Sequence, residues 1–530
     1  MKADRSRGVA ETSSPGNVSG MWFALLSGLL AVTVGLLVGE LLSVWLSPSL
    51  SPLNAVGSAM IDLMPPGVKD WAVANFGTDD KTVFGVVMRV VAGLLACLAG
   101  VLERRRRGAG VAVVIAIGLL TALAAITRHD GGAVLALLGL LSAVVAAVVL
   151  RALIRRLGER GERPVGADGI PEGDRRGFLR LLAATAVGAA VLAAGDALAR
   201  GVQGGYQAAR AALRLPVPSV RAAAAPADAQ VPGISSWTTP NDSFYRIDTA
   251  LVVPFIDPDT WSLKVTGMVE RPLTLSFQEL LVKPLVEHDL TLCCVSNEVG
   301  GNLIGNARWL GWPVRELLAE AGVKPGADMV LSSSSDGFTA GTPLTALQDG
   351  RAALLAVGMN GQPLPAEHGF PVRLVVPGLY GYVSATKWVT ELKVTTFAQD
   401  QAYWSTRGWS EKGPIKRSSR IDAPRQGGSM PAGGAVAGVA WAQGVGVAGV
   451  EVRLDDGPWR PARLAGDGGA DSWRQWWVPL AELDGAQPSA GTHRLTVRMT
   501  GRDGVAQSTV EAPPAPDGSS GLHIVDFQVS

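Results

Sequence analysis

Charged residues are scarce in this sequence. Asp, Glu, Lys and Arg make up 18% of its 530 residues, against about 25% in an ordinary soluble protein. With 48% hydrophobic residues and a mean hydropathy of +0.25, that deficit argues against disorder and against a wholly water-soluble chain. An excess of one sign of charge is also missing. The 47 basic and 46 acidic residues leave a formal net charge of +1, so bulk charge does not draw the chain to nucleic acid. Three cysteines are too few for a disulfide framework. The five histidines, His129, His288, His368, His493 and His523, argue against a multi-haem protein or a histidine-rich metal enzyme.

What the chain does have is long apolar runs, nearly all in its first 200 residues. Five candidate spans are read at 21–46, 83–102, 111–127, 133–153 and 178–198. A helix needs about 20 mostly apolar residues to cross some 30 Å of hydrocarbon. The third run is short, and the fifth, rich in Ala and Gly, is the least hydrophobic. A buried helical bundle is the alternative, disfavoured because several runs lack a polar face. Arg104, Arg105, Arg106 and Arg107 follow the second span, and Arg151, Arg155, Arg156 and Arg160 the fourth. These clusters belong on the cytoplasmic side, together with Lys2, Arg5 and Arg7. The segments 47–82 and 128–130 then lie outside, and so does everything after about residue 200. The fifth run follows Asp174-Arg175-Arg176-Gly177-Phe178-Leu179-Arg180, which resembles a twin-arginine export signal; plain positive-inside charge is the other reading. Few charged residues in the spans suit a transport pathway, and Glu40 is read as a capping or interfacial carboxylate.

The texture changes beyond the apolar region. The expected organisation is a membrane part over residues 1–200, a linker over 201–235, a mixed α+β domain over 236–424 and an all-β domain over 425–530. Alternation at 261–268 predicts a strand, and helices are expected at 276–281 and 314–321. Strands are expected at 435–442, 450–454, 473–480 and 492–500, with Asp455-Asp456-Gly457 as a hairpin turn. That spacing suggests a small β-sandwich, whose role is packing or pairing rather than chemistry.

The chemistry centres on Thr291-Leu292-Cys293-Cys294-Val295-Ser296-Asn297. Adjacent cysteines rarely bridge one another, and Cys97 sits in a membrane span. At least one of Cys293 and Cys294 is therefore a free thiol on the oxidising side, where free thiols are a liability. Thiolates suit soft metals. A strand would send the two side chains to opposite faces, one into a pocket and one into packing; two small buried hydrophobes are the bland alternative.

The segment has company. Ala307-Arg308-Trp309-Leu310-Gly311 follows it, then Glu367-His368-Gly369-Phe370-Pro371-Val372-Arg373, then Pro377-Gly378-Leu379-Tyr380-Gly381, and Lys387-Trp388 closes the series. In kind and order these motifs resemble the sulfite oxidase family of molybdopterin enzymes, over about residues 236–530. The resemblance implies an α+β molybdopterin domain and a C-terminal immunoglobulin-like dimerisation domain. It implies one molybdenum atom held by a pterin dithiolene and one cysteine, which alignment places at Cys294. His368 and Arg373 fall on residues that hold the pterin phosphate. Alone, His368 would be an ordinary surface or core histidine. Asn241 and Tyr245, in the opening segment Thr239-Pro240-Asn241-Asp242-Ser243-Phe244-Tyr245-Arg246, are implied to help bind the pterin. Gly378 and Gly381 would admit backbone amides to the cofactor, Lys387 would contact it, and Ser296 and Asn297 would stand beside the metal ligand. Arg246 falls on an arginine of the oxyanion pocket; otherwise it is a solvated charge.

Three departures from the family stand out. Ile247-Asp248 replaces the frequent Asn-His, Glu298-Val299 replaces an arginine pair, and Trp409 stands about where the family has an active-site tyrosine. They bear on sulfite as substrate more than on the cofactor. The functional expectation is a membrane-anchored molybdopterin oxidoreductase whose catalytic domain faces outside the cytoplasm. It would transfer an oxygen atom to or from a small substrate such as sulfite or a sulfoxide. A membrane electron carrier is a possible partner, a homodimer through the C-terminal domain is possible, and neither haem nor a nucleic-acid partner is expected. The alternative is a non-catalytic binding or assembly protein on the same fold.

Overall fold

The computed structural model describes residues 15–46, 52–64, 80–126, 133–158, 172–250, 253–484 and 488–530. The chain divides into two units, one of residues 1–205 with 250–253 and one of residues 206–249 with 254–530.

The first unit is helical, with helices Pro15–Leu46, Pro52–Leu63, Asp80–Arg105, Ala109–Ile126 and Ala133–Gly158, and most of the helix Glu172–Ala212. Among the described residues, four stretches are long and apolar enough to cross a membrane: Met21–Ser43, Lys81–Arg105, Ala109–Ile126 and Ala136–Leu157. The fifth expected span differs. Its apolar part, Leu179–Gly195, is shorter than the 178–198 expected, because Asp and Arg residues flank it within a helix of 41 residues. Small residues let the first and second of the four approach closely; a Cβ on Gly28 or Gly100 would collide with the carbonyl of Ala96 or Ala24. Glu40 accepts from Leu53 N at 3.4 Å, at the start of the short helix. A buried carboxylate, Glu103, accepts from Gly108 N and Val111 N at the start of helix Ala109–Ile126. Both carboxylates therefore serve as helix caps. The turn at 128–130 with His129, and Lys2, Arg5, Arg7 and Arg160, lie outside the described residues.

The expected linker does not begin at residue 201. The Ala- and Arg-rich stretch continues the helix to Ala212, until Pro216 and Pro218 exclude further turns. Beyond them the chain is extended but tied down. Ser219 N donates to Leu285 O at 2.7 Å, and Ala229 N donates to Gln475 Oε1 at 2.9 Å.

The second unit is built on four sheets. One carries strands Leu273–Ser276, Ser262–Gly267, Val389–Thr395, Met329–Ser334 and Thr339–Pro343 in that order. Another carries Val286–Cys293, Ile304–Pro313, Leu354–Met359 and Gln362–Pro363, with Arg373–Val375 also paired to Leu354–Met359. The two expected helices appear at Phe277–Leu281, started by a Ser276/Glu279 capping box, and at Val314–Ala321. Pro313 is the N-cap of the second, a position that tolerates the missing N–H.

The C-terminal strands form two facing sheets, one of Ser418–Ala423, Ala435–Trp441, Arg474–Pro479 and Arg463–Leu464, the other of Ser429–Met430, His523–Val529, Gly491–Gly501, Val447–Leu454 and Arg460–Pro461. Val436, Trp476 and Val478 from one sheet and Val452, Val497 and Phe527 from the other share a single apolar core. Asp455, at φ +49°, turns the chain between Val447–Leu454 and Arg460–Pro461 as expected. The strand Ser418–Ala423 belongs to this part although it precedes residue 425. Nor is the sandwich separate, because Val439, Trp441 and Trp473 lie in the same apolar core as Leu263, Trp312 and Val394.

Candidate active site

The cysteine segment closes the strand Val286–Cys293, which runs antiparallel to Ile304–Pro313 with Cys293 opposite Ile304. The two thiols have different surroundings, because the strand ends between them. Cys293 is part of the large apolar core, where burial pushes its thiol well up. Cys294 stands just past the strand, in a tight loop closed by main-chain bonds. Its N–H donates to Leu303 O at 2.9 Å, and Asn297 N donates to Cys294 O at 3.1 Å. Asn297 is buried and accepts Leu303 N on its side-chain oxygen at 2.8 Å, so it shapes the loop. Ser296 is half-buried in the same turn.

Tyr245 links this loop to the other motifs. Its phenol is raised well above its ordinary value, first by burial and then by the neighbouring Cys294 and Cys293, with Arg373 acting the other way. Phe244 beside it stacks on Tyr245 at 5.2 Å and meets the rings of Trp309 at 6.0 Å and His368 at 5.5 Å edge-on. Three separate motifs thus meet around Phe244.

His368 ends a short 3-10 turn, Ala366–His368. Its Nε2 lies 3.0 Å from Asn241 O. A carbonyl only accepts, so Nε2 carries the proton. Burial, with Lys387 and Arg373 nearby, lowers its pKa to about 3, which keeps the imidazole neutral at neutral pH. Gly369 follows at φ +110°, and a Cβ there would sit 2.9 Å from Arg373 Cβ. Gly369→Ala is expected to cost on the order of 1–3 kcal/mol through strain alone, read as a lowered midpoint of denaturant unfolding. Arg373 is 4% exposed. Its guanidinium lies over Trp309 at 5.0 Å and donates to His368 O at 3.0 Å. Burial lowers its pKa to about 10.

Asn241 accepts Asn360 Nδ2 at 2.8 Å on its own side-chain oxygen, so its visible work is to fix the opening segment. Gly378, at φ +80°, is accounted for by that left-handed turn; its amide donates to Gln443 Oε1 at 2.6 Å rather than being held open for a cofactor. Gly381 begins the one-turn helix Gly381–Ser384, and a Cβ on it would lie 3.8 Å from Cys293 O. Lys387 Nζ donates to Glu367 O at 2.8 Å and to Asp248 Oδ2 at 2.9 Å. The same carboxylate receives Arg246 Nε at 2.9 Å. Arg246 is therefore ion-paired rather than a solvated charge. Trp409 packs against Tyr382 and Trp404, both with ring centres at 6.0 Å.

Several site-building residues carried no motif in the sequence. Gln443 donates to Thr291 O while accepting Gly378 N, tying the cysteine strand to the Gly378 turn. Ser519 donates to Asn297 O at 2.6 Å, and Arg420 donates to Gly301 O at 2.8 Å. The C-terminal sandwich therefore does more than pack: it holds the cysteine loop from behind. His523 occupies the space a Cβ on Gly300 would need and accepts Ile421 N at 3.0 Å; burial, then Arg420, lower its pKa to about 4. Between pH 6.5 and 4 the unfolded chain takes up this proton and the folded chain does not, so stability falls as pH falls. About 1–3 kcal/mol is expected to be lost across that window. His523→Gln is expected to flatten the corresponding stretch of a melting-temperature profile against pH.

Two buried polar atoms, His368 Nδ1 and Arg373 Nε, find no hydrogen-bond partner among the described residues. Orphaned buried groups are rare in a finished site. Together with the guanidinium, they fit a buried phosphate, whose charge would also favour a second proton on the imidazole. Among the described residues no three His, Cys, Asp or Glu side chains converge as a metal cage. A single thiol beside an anion cradle suits a metal that arrives already held by a phosphorylated organic ligand.

Comparison with known proteins gives the same answer. Residues 250–404 match the family of oxidoreductase molybdopterin binding domains. Human mitochondrial sulfite oxidase is 32% identical over 291 residues, covering 46% of this chain and 52% of that protein. YuiH of Bacillus subtilis, described as an uncharacterized oxidoreductase, is 33% identical over 192 residues, 36% of this chain and 92% of that protein. The sulfane dehydrogenase SoxCD from Paracoccus pantotrophus, a solved structure, shows a TM-score of 0.46 at 24% identity over 55% of this chain and 83% of its own. This chain belongs to the sulfite oxidase family of molybdopterin-binding oxidoreductases. It spans about half the length of the mammalian sulfite oxidases it matches.

Proposed function

We propose that this chain is a membrane-anchored, molybdopterin-dependent oxidoreductase that moves an oxygen atom to or from a small substrate in a two-electron reaction. The observation that carries the reading is the pairing of the Cys294 loop with the phosphate-ready His368 and Arg373, joined through Tyr245.

Cys294 would hold the metal. His368 and Arg373 would hold the pterin phosphate, and Asn241 keeps His368 turned through its main-chain oxygen. Ser296, Asn297, Gly378 and Gly381 shape the walls, and Lys387 anchors the segment that carries Glu367. Arg246 would orient the substrate. When bound, the cofactor supplies the two-electron couple; the protein supplies position, charge and exclusion of water.

The four apolar stretches support a multi-pass anchor. Arg104 to Arg107 and the group Arg151, Arg155 and Arg156 support a cytoplasmic side for the adjacent helix ends; the apolar part of the following helix, Leu179–Gly195, would then make a fifth crossing and carry the catalytic unit to the opposite side, close to a membrane electron carrier. The two facing C-terminal sheets support an immunoglobulin-like fold, which also offers a route to a homodimer. Sulfite oxidation and sulfoxide reduction are both open to such a site.

Purified full-length protein, tested with sulfite and with sulfoxides and artificial electron carriers, is expected to turn over one of the two classes. Protease added to intact spheroplasts is expected to cut beyond residue 212. Failure of both substrate classes in molybdenum-loaded protein would leave a binding or assembly role. Protection of the catalytic unit would reverse the sidedness.

A further inference from the structure

We propose that Asp248 is a built-in counter-anion that occupies the substrate arginine and so selects against oxyanions. The inference rests on the reading above only in taking Arg246 to face the substrate.

Arg246 presents Nε to Asp248 Oδ2 at 2.9 Å and Nη2 to Oδ1 at 3.5 Å. This is the side-on, two-nitrogen face by which a guanidinium receives a carboxylate, phosphate or sulfur oxyanion. A carboxylate of the chain itself has taken that seat. It is held there by a second cation, Lys387 Nζ, 2.9 Å from the same Oδ2. The Asp248 and Lys387 side chains are 5% and 8% exposed, whereas that of Arg246 is 31% exposed. The carboxylate is therefore locked from the buried side, and the arginine remains open on the other.

The charge arithmetic follows. Arg246 and Lys387 contribute two positive charges and Asp248 removes one, leaving a net of one. With a neutral residue at 248, two cations would converge on one space without that carboxylate between them. A cation pair of that kind draws an external anion. With Asp248 in place, a dianion such as sulfite must either displace the carboxylate or stand beside it. An uncharged S–O group needs only a donor from the open side of Arg246 and meets no such penalty. Position 248 thereby decides which class of substrate the common cofactor serves.

The test uses the full-length protein in detergent, with sulfate as an unreactive probe. Sulfate is titrated against chloride at constant ionic strength and followed by calorimetry. Asp248→Asn is expected to bind sulfate about tenfold more tightly than the wild type, and adding Arg246→Gln to that variant is expected to abolish the gain. Equal binding by wild type and Asp248→Asn overturns the proposal, as does a gain that survives Arg246→Gln, which would place the sulfate at His368 and Arg373 instead. Should Asp248→Asn fail to fold, Arg246→Gln alone decides: sulfate binding is expected to match the wild type, and a loss shows that Asp248 does not occupy the fork. Molybdenum measured on the same samples separates the two readings, because a metal-free protein defeats the proposed function while the sulfate comparison still stands.

Discussion

Cys294→Ser is expected to reduce turnover to background while the protein folds as before. The bonds that shape the Cys294 loop run from its main-chain N–H to Leu303 and from Asn297 N to its carbonyl, so a serine side chain disturbs none of them. What is lost is a soft thiolate donor, which a hydroxyl does not replace. Cys293→Ser is expected to show the opposite pattern. That thiol is 2% exposed among apolar side chains, and a hydroxyl there costs about 1–3 kcal/mol, yet turnover per folded molecule should persist. Steady-state rates and unfolding midpoints for the two variants distinguish the neighbouring thiols. The reverse pattern would move the metal to Cys293.

Arg373→Met is expected to separate stability from cofactor retention. In the cofactor-free chain the Arg373 guanidinium is buried, its pKa is lowered by burial, and its Nε is unpartnered. A well-packed apolar side chain should be tolerated or should stabilise by about 1–2 kcal/mol, offset in part by the lost bond to His368 O. Protein made in a molybdenum-starved host should therefore melt no lower than the wild type. Made in a replete host, the variant should lose cofactor by roughly 10–100-fold, the scale seen when outer contacts of a metal site are removed. Retained molybdenum would show that the phosphate lies elsewhere.

Much of this was legible in the sequence, for identifiable reasons. Ser276 and Glu279 announce their helix because a capping box is local chemistry, and Asp455-Asp456-Gly457 announces its hairpin in the same way. The fifth span is shorter in the structure, at Leu179–Gly195, than its composition suggests, because an Ala-rich run scores as apolar whether it crosses a bilayer or simply continues a helix. The linker begins later than residue 201 because Ala and Arg are good helix formers, and the helix continues to Ala212. Gln443, Ser519 and Arg420 were invisible because each acts across more than 100 positions, and a lone polar residue in a strand-rich segment carries no periodic signal. Asp248 was visible only as a departure. Its proposed role depends on Lys387, 139 positions away, which closes on the same oxygen as Arg246.

The most direct test of the whole account is metal and pterin analysis of the full-length protein purified from a molybdenum-replete host. The account predicts about one molybdenum and one phosphorylated pterin per chain, the stoichiometry of a single metal-ligating thiol. Protein carrying neither, from cells that load other molybdenum enzymes normally, would contradict it.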